Sequence, residues 1–366
     1  MAIKFDARAE AQRLHAFFIG NGAVSIETDI LQPAETLLDL YGEDIRARAY
    51  VTSDPLRGEQ MLRPDFTVPV VQAHMAEGAE PARYTYFGEV FRRQEVDDRR
   101  PSEYLQVGYE VFDRKNPAAA DAEVFALFQE VLSPLNPRAA TGDIGILKAA
   151  VLGLSTTDQR KQALLRHIWR PHRFRALLDR YGARRPEPES RKVMLDKVAA
   201  GQDLFEGIGP ENGVRTRAEV ERRVAALVAD AQEPPIRETE VEILDDILSL
   251  KEKMPVVLSQ LLDISVDMPA IGPAVDRLKQ RQNALSKRGV DVDALDFETS
   301  YGRSFMEYYD GFVFGFYAPG HVDLAPIATG GRYDALTAVL GGGAEIPAVG
   351  GVIRPEVVWA VRGAKS

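Results

Sequence analysis

Apolar and polar positions alternate with a period of two along Tyr84–Arg93 and again along Tyr104–Phe112, which predicts two strands. The polar run from about 94 to 102, with Asp97, Asp98, Arg99, Arg100 and Pro101, predicts the loop that joins them. In the second strand Leu105, Val107, Tyr109 and Val111 share one face, which reads as core. Tyr104, Gln106, Gly108, Glu110 and Phe112 share the other. That second face sets an amide and a carboxylate on either side of a glycine. It reads either as the floor of a small polar site, with Gly108 admitting a ligand or another backbone, or as a solvated sheet face.

Elsewhere the period changes to 3.6. Residues 6–19 carry Ala11, Leu14, Phe17 and Phe18 on one helical face, stopped by Gly20. An extended piece at 23–27, Leu31–Pro33, and a short helix at 35–41 ended by Gly42 follow. Strands are predicted at 47–52 and 60–63, then a strand-to-helix switch at Leu62-Arg-Pro-Asp-Phe-Thr67, with Asp65 or Thr67 capping a helix that runs to Met75. Asp121 is expected to cap a helix striped with Val124, Phe125, Phe128, Val131 and Leu132. From about 146 to 269 the pattern is helical throughout, with proline punctuation at Pro186, Pro188, Pro234 and Pro235. One more helix carries Val275, Leu278 and Leu285 and stops at Gly289. Strands return at 295–300, and 308–317 reads as a hairpin turning at Asp310-Gly311. The chain closes with Gly330-Gly-Arg-Tyr-Asp334, a short helix, a Gly341–Gly343 turn, Ala348–Arg354 and a last helix. The expected fold class is α+β: an antiparallel sheet flanked by helices, with 1–145 and 270–366 as one core and 146–269 as a helical insertion.

Composition narrows the chemistry. Of 366 residues none is cysteine, which removes thiolate and disulfide chemistry and fits a reducing, cytoplasmic setting. Fifty-five acidic residues outweigh 45 basic ones, against a surface that grips a phosphate backbone. No segment nears the ~18 apolar residues that span a bilayer, and the start lacks a signal-peptide pattern. His15, His74, His167, His172 and His321 show no metal-ligand spacing, so neither metal nor cofactor is expected. Nucleophile-elbow, phosphate-loop and dinucleotide templates are all missing from the sequence.

Four motifs in order carry a resemblance: Leu62-Arg-Pro-Asp-Phe-Thr67; Phe91-Arg92 with Tyr104–Phe112; Glu307-Tyr-Tyr309; and Gly330–Asp334. Together they resemble the catalytic core of histidyl-tRNA synthetase, a class II aminoacyl-tRNA synthetase. The resemblance implies a histidine site. Asp65 stands where the family meets the amino group. Thr67, Gln106 and Tyr333 surround the amino acid. Glu110 and Tyr309 read the imidazole with Tyr308 beside them, and Arg92 matches the arginine that holds the α-phosphate and carboxylate. Departures accompany it. The family's adenylation arginine aligns with Ser304, its adenine-stacking arginine with Val357, and glycines with Phe66 and Arg354; the glutamate after the paired arginines is Gln94. Lost positive charge removes electrostatic stabilisation of a triphosphate. Only 12 residues follow Arg354, so no anticodon-binding domain and no tRNA partner are expected.

A kept pocket with lost chemistry resembles the regulatory subunits of ATP phosphoribosyltransferase. That likeness implies a non-catalytic protein of histidine biosynthesis. Its partner would be a short catalytic subunit, its ligand histidine, and it would self-associate as a class II dimer within a hetero-oligomer. A histidine-adenylating enzyme, in which Arg303 or Arg354 replaces the missing arginines, is the alternative.

Overall fold

Hydrogen bonding between strands divides the chain into two sheets in the computed structural model, which describes residues 2–41, 48–94, 101–206, 216–303, 308–321 and 323–363. Helix α1 (Ala2–Gly20) leads to β1 (Val24–Ser25), β2 (Leu31–Pro33), α2 (Ala34–Tyr41), β3 (Val51–Asp54), β4 (Gly58–Leu62) and α3 (Thr67–Glu77). The long hairpin follows as β5 (Ala82–Phe91) and β6 (Glu103–Phe112), then α4 (Pro117–Leu132) and β7 (Arg138–Asp143). A helical block comes next: α5 (Ile144–Gly153), α6 (Asp158–Arg166), α7 (Pro171–Tyr181), α8 (Glu189–Ala199), α9 (Arg217–Gln232) and α10 (Glu238–Ser249). After β8 (Lys251–Lys253) come α11 (Met254–Asp267), α12 (Gly272–Lys287), β9 (Asp296–Glu298) and β10 (Phe312–Tyr317). Then β11 (Ala328–Arg332), α13 (Asp334–Leu340), β12 (Ala348–Ile353) and α14 (Pro355–Gly363) complete the order.

The large sheet runs β1-β5-β6-β12-β11-β10-β7-β9-β8, antiparallel except for the β1/β5 and β7/β9 pairs near its edges. The small sheet is β2-β4-β3. This is the expected α+β architecture. The expected helical stretch 146–269 is interrupted: residues 251–253 form strand β8, which pairs with β9, so the chain rejoins the large sheet at Lys251 and the helical block ends before it.

The two faces of β6 part company as alternation requires. Leu105, Val107, Tyr109 and Val111 are buried beneath helices. There Phe18 of α1 stacks on Tyr109 at 5.1 Å and Phe128 of α4 packs against Phe18 at 5.4 Å. Full burial of each such ring contributes roughly 1.5–3 kcal/mol. The Tyr109 hydroxyl donates to Glu123 Oε1 at 2.6 Å. Beneath the sheet a buried ion cluster ties four elements together. Asp121 of α4 accepts from Arg281 of α12 at 2.7 Å and from Arg332 of β11 at 2.6 Å, and Arg281 also reaches Asp143 at 2.8 Å.

Several local expectations give way. Asp121 does not cap its helix; Asn116 does, its side chain accepting from Ala119 N at 3.0 Å with Pro117 behind it, and Asp121 sits a turn inside as the acceptor for two arginines. Asp310-Gly311 is not a hairpin turn. Tyr308 and Tyr309 are outside any strand, and the Asp310 carboxylate accepts from the backbone N–H groups of Asp334 (3.1 Å) and Ala335 (2.8 Å), capping α13 from a distance. The third strand begins at Val51, and its expected start at Ala47, like Gly42 and Asp97–Arg100, lies outside the described residues. At α3 the N-cap is Phe66, which carries no side-chain cap, rather than Asp65 or Thr67; Asp65, one residue earlier, accepts from Val68 N at 3.4 Å.

Candidate functional site

The even-numbered face of β6 is not solvated. Gln106 and Glu110 are each 1% exposed, and Phe112 is fully buried. What lies on this face is set by glycines that give room to polar side chains. In the hairpin register Tyr86 of β5 stands directly opposite Gly108, and a Cβ on Gly108 would fall 2.0 Å from Tyr86 Cζ. Gly350 of β12 is opposite Glu110, and its Cβ would meet Glu110 Oε2 at 1.4 Å. A Cβ on Gly331 would come 2.8 Å from Tyr309 Cδ1, and one on Gly315 would meet the Tyr301 hydroxyl at 2.0 Å. No residue with a side chain fits beneath any of these groups as they stand. Gly108 therefore seats Tyr86, rather than admitting a ligand to the backbone.

Glu110 is the hub. Its Oε1 accepts from the Tyr86 hydroxyl at 2.8 Å and from Thr67 Oγ1 at 3.2 Å, and its Oε2 accepts from the Tyr333 hydroxyl at 2.6 Å. Tyr308 in turn donates to Thr67 Oγ1 at 3.3 Å. Burial raises the Glu110 carboxyl to about 7, against the opposing pull of the three hydroxyls, and the Asp65 charge adds to the rise. Burial likewise pushes the Tyr86 and Tyr333 phenols well above their usual range, so they remain donors. Tyr308 stands edge-on to both Tyr309 (4.9 Å) and Tyr333 (6.0 Å), and Phe66 stacks flat on Tyr86 at 4.3 Å beneath the Arg63 guanidinium.

One buried acceptor on this face is left over. Gln106 Oε1 has no hydrogen-bond partner among the described residues, and buried polar atoms are rarely left so. Asp65, 4% exposed, adds a second carboxylate at the N-terminus of α3. The site offers a surplus of acceptors, which suits a small cationic molecule rich in N–H groups. Toward the other end of the face Arg92 Nε donates to Pro64 O at 2.8 Å, and Arg354 Nη1 donates to Pro326 O at 2.8 Å. Arg354 is close enough to Arg92 for mutual repulsion to add to the burial that lowers its pKa. Tyr301 and Tyr317 share a 2.8 Å hydrogen bond over Gly315. Among the described residues no group of acidic or histidine side chains forms a metal site.

The histidyl-tRNA synthetase family model matches residues 6–206 and 204–358. The chain belongs to that family. Among curated relatives, proteins of Brucella ovis and Brucella abortus are 29% identical over 357 residues, covering 93% of this chain and 93% of theirs. Both carry the name ATP phosphoribosyltransferase regulatory subunit. A Bacillus halodurans C structure described as an ATP phosphoribosyltransferase regulatory subunit/histidyl-tRNA synthetase superposes with a TM-score of 0.68 at 18% identity, covering 98% of this chain and 79% of that one. Histidyl-tRNA synthetase of Nostoc sp. PCC 7120 gives 0.65 at 18% identity, covering 99% and 73%. These establish the class II synthetase fold.

Within that family frame, the structure brings Thr67, Glu110, Tyr308 and Tyr333 into one hydrogen-bonded group. Tyr309 is buried against Gly331, near enough to Glu110 for that charge to raise its phenol. Gln106 shares the β6 face with Glu110, and Asp65 lies near enough for its charge to raise the Glu110 carboxyl, whereas Arg92 is held at the Pro64 turn, toward Arg354. Ser304, the residue in place of the family's arginine, lies outside the described residues. Its neighbour Arg303 turns toward the helical block, where Nε donates to Ile168 O at 2.7 Å and the guanidinium covers Phe174. Tyr86 escaped the sequence reading. Its signal was the pairing register: Tyr86 and Gly108 face each other across the hairpin, a large polar ring opposite an empty position.

Proposed function

We propose that this protein is a non-catalytic regulatory subunit of ATP phosphoribosyltransferase in histidine biosynthesis. It acts in the cytoplasm, is required by a short catalytic subunit and transmits feedback inhibition by histidine. The relatives' shared name over 93% of both chains supports the role. The structural observation that carries it is a preserved acceptor pocket around Glu110 combined with an Arg303 already committed to Ile168 O. Histidine fits the pocket chemically. Its ammonium meets Asp65 and the free Gln106 oxygen, and its ring N–H meets Glu110, with Thr67, Tyr308, Tyr309 and Tyr333 around it and Arg92 toward its carboxylate. Residues 146–250 serve as a helical insertion on a core that the chain rejoins at β8, and that core pairs with a second copy of itself and has no tRNA partner.

For feedback to act, histidine has to bind one state of the assembly better than the other, since equal affinity shifts nothing. The deciding experiment mixes this protein with the short phosphoribosyltransferase subunit of the same organism and follows phosphoribosyl-ATP with and without histidine. A rate increase that histidine suppresses is the expected result; no change in rate overturns the proposal. Arg354 is the one cation left to the adenylating alternative, and histidine-dependent pyrophosphate exchange into ATP would favour that reading instead.

A further inference from the structure

A cavity of about 460 Å³, lined by none of the residues around Glu110, opens where α7 begins. Its polar lining is His172, Arg175, Arg185 and Arg303, with Pro171 and Phe174 as apolar wall, and no carboxylate lines it among the described residues. Two carboxylates pair with the rim arginines: Asp245 with Arg175 and Arg184, and Asp179 with Arg185 at 3.1 Å, so Arg303 is the lining arginine without a carboxylate partner among the described residues.

Arg303 is the unusual member. It is 6% exposed, and its Nε donates to Ile168 O, its one side-chain hydrogen bond among the described residues. Its Nη2 has no hydrogen-bond partner among the described residues, and its ring contact with Phe174 at 4.8 Å supplies no counter-charge. Burial alone pulls its pKa down to about 10. A buried charge without a partner is costly, and a protein retains one where something else neutralises it. A second feature points into the same space. The 11-residue helix α7 starts with Pro171 at its first position, has no acidic residue in its first turn and receives no side-chain cap. Its first-turn N–H groups and the positive end of its dipole are therefore available to an anion.

We propose that this cavity is a binding site for a small phosphorylated anion, a phosphate ester or pyrophosphate, held by Arg303 and the N-terminus of α7 with Arg175 and Arg185 at the rim. The forked guanidinium geometry and the paired charges suit phosphoryl oxygens, and the volume suits a small molecule. The proposal does not depend on the histidine pocket or on the partner subunit.

The test uses the full chain, with inorganic phosphate and pyrophosphate as probes, in chloride buffer at constant ionic strength. Calorimetry and thermal melts compare wild type with Arg303→Gln and Arg185→Gln. Wild type is expected to show a saturable upward shift in Tm with pyrophosphate. Arg303→Gln keeps a donor for Ile168 O but sheds the unpaired charge, so it melts at or above wild type without ligand and loses the shift. Arg185→Gln, at an exposed rim position, keeps the unliganded Tm and weakens binding roughly threefold to tenfold. Absence of a saturable shift in wild type overturns the proposal, as do equal shifts in wild type and both variants. Should Arg303→Gln fail to fold, unchanged pyrophosphate affinity in Arg185→Gln overturns it alone.

Discussion

Replacing Glu110 by Gln keeps the shape of the hub and removes its charge. In wild type the carboxylate accepts three hydroxyl hydrogen bonds while buried, and its pKa lies near 7 rather than the ordinary 4.5. The sign follows from linkage. Because the folded value is the higher one, the folded state holds this proton more tightly than the unfolded chain. The associated stability is complete below about pH 4.5 and is lost as pH rises through about 7. The gap between those two values corresponds to about 3 kcal/mol at most. Glu110→Gln lacks that slope, so relative to wild type the unliganded variant gains stability between pH 5 and pH 8. Histidine binding moves the other way. At pH 8 the wild-type carboxylate is ionised and forms a charge-assisted hydrogen bond of ~1.5–3 kcal/mol with the ring N–H, so the variant is expected to bind histidine about ten- to a hundredfold more weakly. Calorimetry with histidine at pH 8, together with urea melts at pH 5 and pH 8, measures both effects. Unchanged histidine affinity in the variant at pH 8 would refute the assignment of Glu110 to the ligand. An identical stability difference at the two pH values would refute the raised carboxyl.

Gly108→Ala sets a methyl group 2.0 Å from Tyr86 Cζ, so Tyr86 has to leave Glu110; a loss of ~1–3 kcal/mol in urea unfolding and weaker histidine binding are expected, and a wild-type melt with wild-type affinity would show that the seat is not needed. Arg332→Met strips Asp121 and Asp334 of a buried partner and is expected to destabilise the fold by ~3–5 kcal/mol in chemical denaturation, more than any single surface ion pair does. Val357→Arg alone is expected to leave histidine adenylation undetectable, because the position of the family's other arginine is still Ser304; aminoacyl-adenylate formed by that single variant would overturn the electrostatic argument.

Much of this architecture could be read from period alone. The two-residue alternation of β6 separated a core face from a polar one, because alternation is a geometric property of an extended chain, but left open whether the polar face was a site floor or solvated. The long hairpin and most of the helical block followed from local signals of the same kind. What escaped reading was long-range pairing. Asp121 and Asp310 both look like ordinary local punctuation. Each is committed to groups far along the chain, Asp121 to Arg281 and Arg332 and Asp310 to the start of α13. Tyr86 was missed for the same reason: its importance lies in the residue opposite, which appears only once two strands are in register. Arg303 shows a further limit, because simple alternation would put it on the far side of a strand, whereas it sits in a turn and reaches into the helical block.

The chain of hydroxyls leading into Glu110 has a direction of travel. Tyr308 donates to Thr67, and Thr67 donates to the carboxylate; each hydroxyl owns a single proton, so the row runs one way only. A ligand N–H arriving at Glu110 competes with Thr67, Tyr86 and Tyr333 for the same lone pairs. A proton arriving there does the opposite: the carboxyl becomes a donor, and a neighbouring hydroxyl has to reverse to receive it. The two events impose opposite polarities on one row of atoms. A ligand N–H would find Glu110 as an acceptor and a fall in pH would make it a donor, so the direction of the hydroxyl protons carries the difference between the two.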